Sequence, residues 1–214
     1  MSSAVLCEGK ALSHEKGNSV SSEQAPRPKH AVALAASAGG LAALTEILSS
    51  LPPDFAAPVL VLQHLSPHHR SWLSEILGRQ VALPVVQVRG GERLEAGRIY
   101  VAPPDFHLLV DPDGFLSLSD LARVHFVRPS ADLLFASLAE SWGEGAIAVV
   151  LTGTGRDGSE GVRTIKRHGG TVIAQDEASA QFFGMPGAAC RTGAVDQVLP
   201  LAGIASALMD LTSS

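Results

Sequence analysis

A serine, a histidine and an aspartate stand at the ends of three apolar runs: Ser37 in AASAGG, His64 in LVLQHLS and Asp157 in VVLTGTGRDG. A hydroxyl, an imidazole and a carboxylate are the parts of a serine hydrolase. The imidazole takes the proton of the attacking hydroxyl, and the acid holds the ring in its correct tautomer. Each residue also has a simpler use. A serine at a helix start can be an N-cap, a histidine at a strand end can be structural, and Asp157 could cap the helix that follows it. What favours the chemistry is coincidence: three strand ends supply the three groups required.

The bend at Ser37 admits two other readings. A dinucleotide-binding turn needs G-x-G-x-x-G, and the corresponding positions hold Ala35, Ser37 and Gly40, of which only the last fits. It also needs an acid at the end of the second strand, where Gln63 and His64 stand. The nucleophile-elbow pattern G-x-S-x-G fits better, with Ala35, Ser37 and Gly39 at its three set positions. TGTGRDG (152–158) has the glycines of a phosphate nest but lacks the Lys-Ser/Thr pair of a P-loop. His64, His68 and His69 raise a metal reading. Pro67 breaks any helical i, i+4 geometry there, and no carboxylate or thiol close in sequence completes a zinc site. No metal and no organic cofactor are expected.

The elements that must position these groups alternate. HAVALAA (30–36) reads as a buried strand and LAALTEILSSL (41–51) as a helix packed on a sheet. APVLVLQHL (57–65) is a second strand, followed by the helix-start signal Ser66–Pro67. RIYVAPP (98–104) is a strand, and residues 106–120 alternate around Asp-Pro-Asp-Gly, a hairpin signal. A helix over 130–142, a strand over 146–153, a helix over about 158–168 and a strand over 171–175 follow. A short strand and a closing helix occupy 195–211. Near-continuous apolar strands alternating with helices predict one doubly wound α/β domain: a mostly parallel sheet, helices on both faces, and a β-hairpin excursion. In such sheets ligands bind beyond the carboxyl ends of the strands, where Ser37, His64 and Asp157 fall.

The chain has 214 residues, 46% of them hydrophobic and 5% aromatic, so its core is built from Ala, Val and Leu. Residues 1–29 carry four Lys/Arg against three Asp/Glu; the net charge of −5 therefore leaves −6 on the remainder. Polar and poor in large apolar groups, 1–29 reads as a disordered tail and 30–214 as the folded domain. The tail lacks the pattern of a signal peptide, and no apolar stretch reaches the roughly 20 residues of a membrane helix. No basic stripe points to nucleic acid. Two cysteines, Cys7 and Cys190, are too few for a disulfide framework, and a reducing cytoplasm is the expected location.

Several blocks together resemble one family. ASAGG, LVLQHLSPHH, IYVAPPDFHLLV, RPSADLLF, VVLTGTGRDGSEG and AQDEASAQFFGMPGAA are similar, in order and over about residues 31–211, to the catalytic domain of CheB-type chemotaxis receptor protein-glutamate methylesterases. The resemblance implies a parallel-sheet fold distinct from the usual α/β-hydrolases, with the order Ser, His, Asp instead of Ser, Asp, His. It implies Ser37 as nucleophile, His64 as general base and Asp157 as orienting acid. Backbone N–H groups at the Ser37 turn (Ala38) and at Thr154 would hold the oxyanion. It also implies cleavage of glutamate γ-methyl esters on the helical bundle of methyl-accepting chemotaxis receptors, glutamine deamidation, and no cofactor. Arg70, Arg123 and Arg128 would offset the negative charge of the domain toward an acidic receptor.

Two features depart from the family pattern. Ala38 stands where a threonine is usual, and Thr154 and Arg156 replace the usual residues of the TGMG-type loop. The regulatory receiver domain typical of the family needs about five βα units, which 29 polar residues do not supply. A stand-alone catalytic domain, gated by a separate receiver protein or ungated, is the expectation. A degenerate receptor-docking module and a serine hydrolase for some other ester are the alternatives.

Overall fold

The computed structural model describes residues 26–64 and 71–213. The expected helix start at Ser66–Pro67, and with it His68, His69 and Arg70, lies outside the described residues, as do residues 1–25.

A seven-stranded sheet organises the chain. Its strands are β1 (Ala31–Ala36), β2 (Val59–Gln63), β3 (Val85–Gln87), β4 (Ile99–Val101), β7 (Ala146–Val150), β8 (Thr171–Gln175) and β9 (Gln197–Leu199). Their order is β3-β4-β2-β1-β7-β8-β9, and every pairing is parallel. The antiparallel hairpin β5 (His107–Val110) and β6 (Leu116–Ser119) forms a separate two-stranded sheet. The expected doubly wound α/β architecture is thus present, with its excursion.

Both faces of the sheet are covered, which is why its strands are apolar without interruption. In β1 the alanines 31, 33 and 35 face α3 (Ala131–Trp142), α4 (Ser159–Arg167), α5 (Gly184–Cys190) and the hairpin. Val32, Leu34 and Ala36 face α1 (Gly40–Ser49), α2 (Leu73–Gly78) and α6 (Leu201–Thr212). Small residues on the first face, repeated at Ala146 and Ala148 of β7, leave room for the fully buried Phe135 of α3.

Two elements were not expected. β3 has three half-buried residues at the sheet edge, too few for a periodic signal. The sequence of α5, GMPGAAC, holds two glycines and a proline. It becomes helical because Met185 and Ala189 bury against the core, a tertiary gain that outweighs poor propensity.

The chain already touches the domain before β1. Arg27 lies 3.6 Å over the Trp142 ring. It donates to Ser141 O and Oγ (both 2.7 Å) and to Pro112 O (3.0 Å), while Trp142 Nε1 donates to Pro28 O (3.1 Å). An exposed cation–π contact contributes about 0.5–1 kcal/mol. Arg27→Ala should therefore lower the melting temperature by about 2 °C, measurable by calorimetry; an unchanged value would show the contact to be idle.

Candidate active site

The chain leaves β1 to one side through β2 and β4, then returns to β7 on the other, so the crevice between β1 and β7 is the switch point where such sheets bind ligands. Ser37, His64 and Asp157 follow β1, β2 and β7. All three stand on this rim.

Ser37 is held entirely through its backbone. Its N–H donates to Thr152 O (3.0 Å), and its carbonyl accepts from Gly40 N–H (2.9 Å) and from Gln63 Nε2 (2.6 Å). Gly39 is left-handed at φ 79°, which a β-carbon would strain. A β-carbon on Gly40 would overlap Gln63 Oε1 and come within 2.6 Å of Ala36 Cβ. The turn is thus sharp, and its side chains must be small for steric reasons. The N-cap of α1 is Gly39, with no side-chain cap bond. Ser37 is not capping.

His64 N donates to Ala36 O (2.9 Å). The β1–β2 register ends with Ala36 paired to Gln63, so Ser37 and His64 are the first residues past the carboxyl ends of two neighbouring strands. Gln63 joins them: its Nε2 also contacts His64 O at 3.1 Å. Its Oε1 is buried and makes no hydrogen bond to a described residue.

The imidazole meets the acid. His64 Nε2 lies 2.8 Å from Asp157 Oδ2, with side-chain exposures of 11% and 4%. A carboxylate only accepts, so Nε2 carries the proton that it donates, and Nδ1 is the ring nitrogen that the acid leaves unbonded. Asp157 does cap a helix, but not the one expected. The N-cap of α4 is Gly158, with no side-chain cap bond, whereas the Asp157 carboxylate accepts from the head of α3: Ala131 N–H (2.6 Å), Asp132 N–H (3.3 Å) and Ser130 Oγ (2.8 Å). Burial alone would raise this carboxyl. Bonds from His64, Ala131 and Ser130 and the imidazole's charge outweigh it and hold Asp157 below the usual carboxylate range.

The loop carrying Thr154 is pinned from the side. Gly153 N–H donates to Phe182 O and Gly153 O accepts from Met185 N–H (both 2.9 Å). A β-carbon on Gly153 would lie 2.8 Å from Ser37 Cβ, so this loop lies directly against the Ser37 turn. Neither Ala38 N–H nor Thr154 N–H donates to another described residue. Sequence reasoning did not single out this support from the FFGM segment, nor the roles of Gln63, Ser130 and Asp132.

The surroundings are apolar. Leu41 in the first turn of α1 is exposed, as are Trp72, Phe106, Leu121, Phe126 and Phe182 in connections beyond a strand's carboxyl end or past the hairpin, and Phe126 is 94% exposed. A groove of ≈ 1040 Å³ runs from Ser37 past Leu41, Trp72 and Ile76. Of the arginines expected to offset charge, the two among the described residues are already engaged: Arg128 bonds Asp105 (2.8 Å) and two backbone carbonyls, and Arg123 lies 3.7 Å from Asp105. Among the described residues no three His, Cys, Asp or Glu side chains group as a metal site, and no helix is long and apolar enough to cross a membrane.

Residues 32–208 match the family profile described as CheB methylesterase. The chain belongs to that family. It is 45% identical over 181 residues to a protein-glutamate methylesterase/protein-glutamine glutaminase of Anaeromyxobacter dehalogenans, covering 85% of this chain and 53% of that protein. It is 42% identical over 184 residues to the protein-glutamate methylesterase FrzG of Myxococcus xanthus, covering 86% and 55%. The chain thus spans about half the length of the curated relatives it matches. The solved CheB methylesterase catalytic domain of Thermotoga maritima superposes with a TM-score of 0.82 at 36% identity, covering 85% of this chain and 98% of that one. The expected CheB fold is therefore shown by a solved relative as well as by the sheet itself.

Proposed function

We propose that this CheB domain hydrolyses glutamate γ-methyl esters on chemotaxis receptors, with Ser37 as nucleophile, and deamidates glutamine by the same route. The observation that carries the reading is the bond of His64 to the buried Asp157, on the strand end beside Ser37. Ser37 Oγ attacks the ester carbonyl, and its proton passes to Nδ1 of His64, the nitrogen that Asp157 leaves free. The tetrahedral oxyanion is held by Ala38 N–H and Thr154 N–H, where one such donor contributes about 3 kcal/mol. Collapse breaks the ester C–O bond, and the leaving oxygen takes the proton from His64 as methanol. Water then attacks the acyl-serine with His64 as base, freeing the glutamate and Ser37. A carboxamide follows the same path and releases ammonia.

A protein substrate accords with the exposed Leu41 and Trp72 along the groove that starts at Ser37, apolar surface that a small ester would not need. The proposed setting is the cytoplasm, on the inner helical bundle of receptors, with a receiver-type protein as regulator. Incubating the chain with methyl-esterified receptor membranes should release methanol. No methanol from such membranes would end this reading.

Thr154→Pro tests the oxyanion assignment, because proline removes the backbone N–H while Thr154→Ala keeps it. The proline variant should lose on the order of 10²-fold in kcat, and the alanine variant should stay near the natural rate. Equal losses would show that the side chain, and not the N–H, matters.

A further inference from the structure

α3 and α4 cap each other. Asp157, the residue before Gly158 at the head of α4, accepts from Ala131 and Asp132 N–H in the first turn of α3. In return Asp132 Oδ1 accepts from Glu160 N–H (2.9 Å) and Gly161 N–H (2.8 Å) in the first turn of α4. Both helix N-termini point their unpaired donors and positive dipole ends at the other's carboxylate. The helices touch here: a β-carbon on Gly161 would lie 3.0 Å from Asp132 Cα and 2.7 Å from Phe135 Cβ.

We propose that Asp132 is a positioning residue for Asp157. This rests on the triad reading above. The argument is mechanical. Asp157 sits at the end of a loop whose residues 154–156 are exposed, so the segment's only firm boundary on that side is the head of α4. α4 supplies no side-chain cap of its own, and Asp132 supplies it from across the interface. That bond fixes α4 relative to α3, and α3's N–H groups fix the Asp157 carboxylate toward His64. Asp132 is 7% exposed. Its Oδ2 makes no hydrogen bond to a described residue and lies 3.4 Å from His125 Nε2. A capping aspartate on the surface would keep that oxygen in water; here its burial is accepted at the interface that sets the acid. Burial raises the Asp132 carboxyl, the Gly161 N–H opposes this, and the Asp157 charge adds to it. The two carboxylates are thus close enough to act on each other.

Three variants test this, assayed well below their melting temperatures. Asp132→Ala should lose about 10–100-fold in kcat with KM within about twofold, since sub-ångström misplacement of a catalytic group is costly while the substrate surface is untouched. Asp132→Asn, whose amide oxygen still accepts both N–H groups, should restore kcat to within about threefold. Gly161→Ala, which pushes the helices apart at the same contact, should follow Asp132→Ala and keeps the test open if that variant does not fold. A second readout needs no turnover: the His64 Nε2 proton shared with Asp157 should give a far-downfield resonance in the natural chain and in Asp132→Asn, shifted or lost in Asp132→Ala and Gly161→Ala. A natural kcat and unmoved resonance in Asp132→Ala and Gly161→Ala would overturn the proposal and leave a purely structural cap. Asp132→Asn as impaired as Asp132→Ala would overturn it too, by showing that the charge matters and not the cap. If the natural chain releases no methanol, the functional reading fails and the resonance alone decides this one.

Discussion

Ser37→Ala is expected to abolish methanol release, with a loss on the order of 10⁶-fold in kcat, the scale seen when a serine-protease nucleophile is removed. The substitution should leave the fold alone. Every hydrogen bond that Ser37 makes to Thr152, Gly40 and Gln63 uses its backbone, and alanine keeps them all. His64→Ala should be comparably severe, because the hydroxyl then has no acceptor for its proton. The double variant should be little worse than either single one, since nucleophile and base act as a unit. Turnover that survives Ser37→Ala would point to another nucleophile. Additive losses in the double variant would show that the two residues work independently, against a shared proton transfer.

Asp157 carries the second large effect, and it divides into rate and stability. Asp157→Asn replaces an acceptor by an amide whose nitrogen donates toward Nε2, so the ring proton moves to Nδ1 and the nitrogen facing Ser37 is blocked. A loss on the order of 10⁴-fold is expected, the magnitude known for that change in a serine protease. Asp157→Ala adds a structural cost, because the N–H groups of Ala131 and Asp132 and the Ser130 hydroxyl lose their acceptor inside the protein. Losing caps to buried donors costs about 2–3 kcal/mol, or about 6 °C of melting temperature at this size. The pH dependence has a definite sign. The folded carboxyl is held below its usual value, so its stabilisation is complete above the unfolded value of about 3.9 and is lost as pH falls toward the depressed folded value. The gap in stability between the natural chain and Asp157→Ala should be full at pH 6 and shrink below about pH 4. A gap that is constant down to pH 3, read by denaturant unfolding, would show that the charge contributes nothing.

The strands were legible because their signal is local. A buried parallel strand must be apolar on both faces, so AVALAA and AIAVV announce themselves whatever lies beside them, and an Asp-Pro-Asp-Gly hairpin needs only its own turn chemistry. Once β1, β2 and β7 are placed in a parallel sheet, their carboxyl ends share one rim. Ser37, His64 and Asp157 then share that rim as a consequence of topology, without any contact being known. β3 and α5 were illegible for the opposite reason. Val85–Gln87 is a strand because β4 offers it an edge, and GMPGAAC is a helix because the core takes up Met185 and Ala189.

The sequence by itself determined which chemical groups the crevice holds, because residue types and strand ends are written along the chain. Only the tertiary structure decided how those groups are held. Read in sequence, Asp157 is the natural cap of α4, the helix that follows it; in space it caps α3, and Asp132 caps α4. Gln63 reads as the last residue of a strand, yet its amide ties the carbonyl of Ser37 to that of His64. Both are partnerships between segments 25 or more residues apart, set by which helix ends and strand ends the sheet brings together. A one-dimensional pattern records the donors and acceptors, but the pairing between them is fixed by packing.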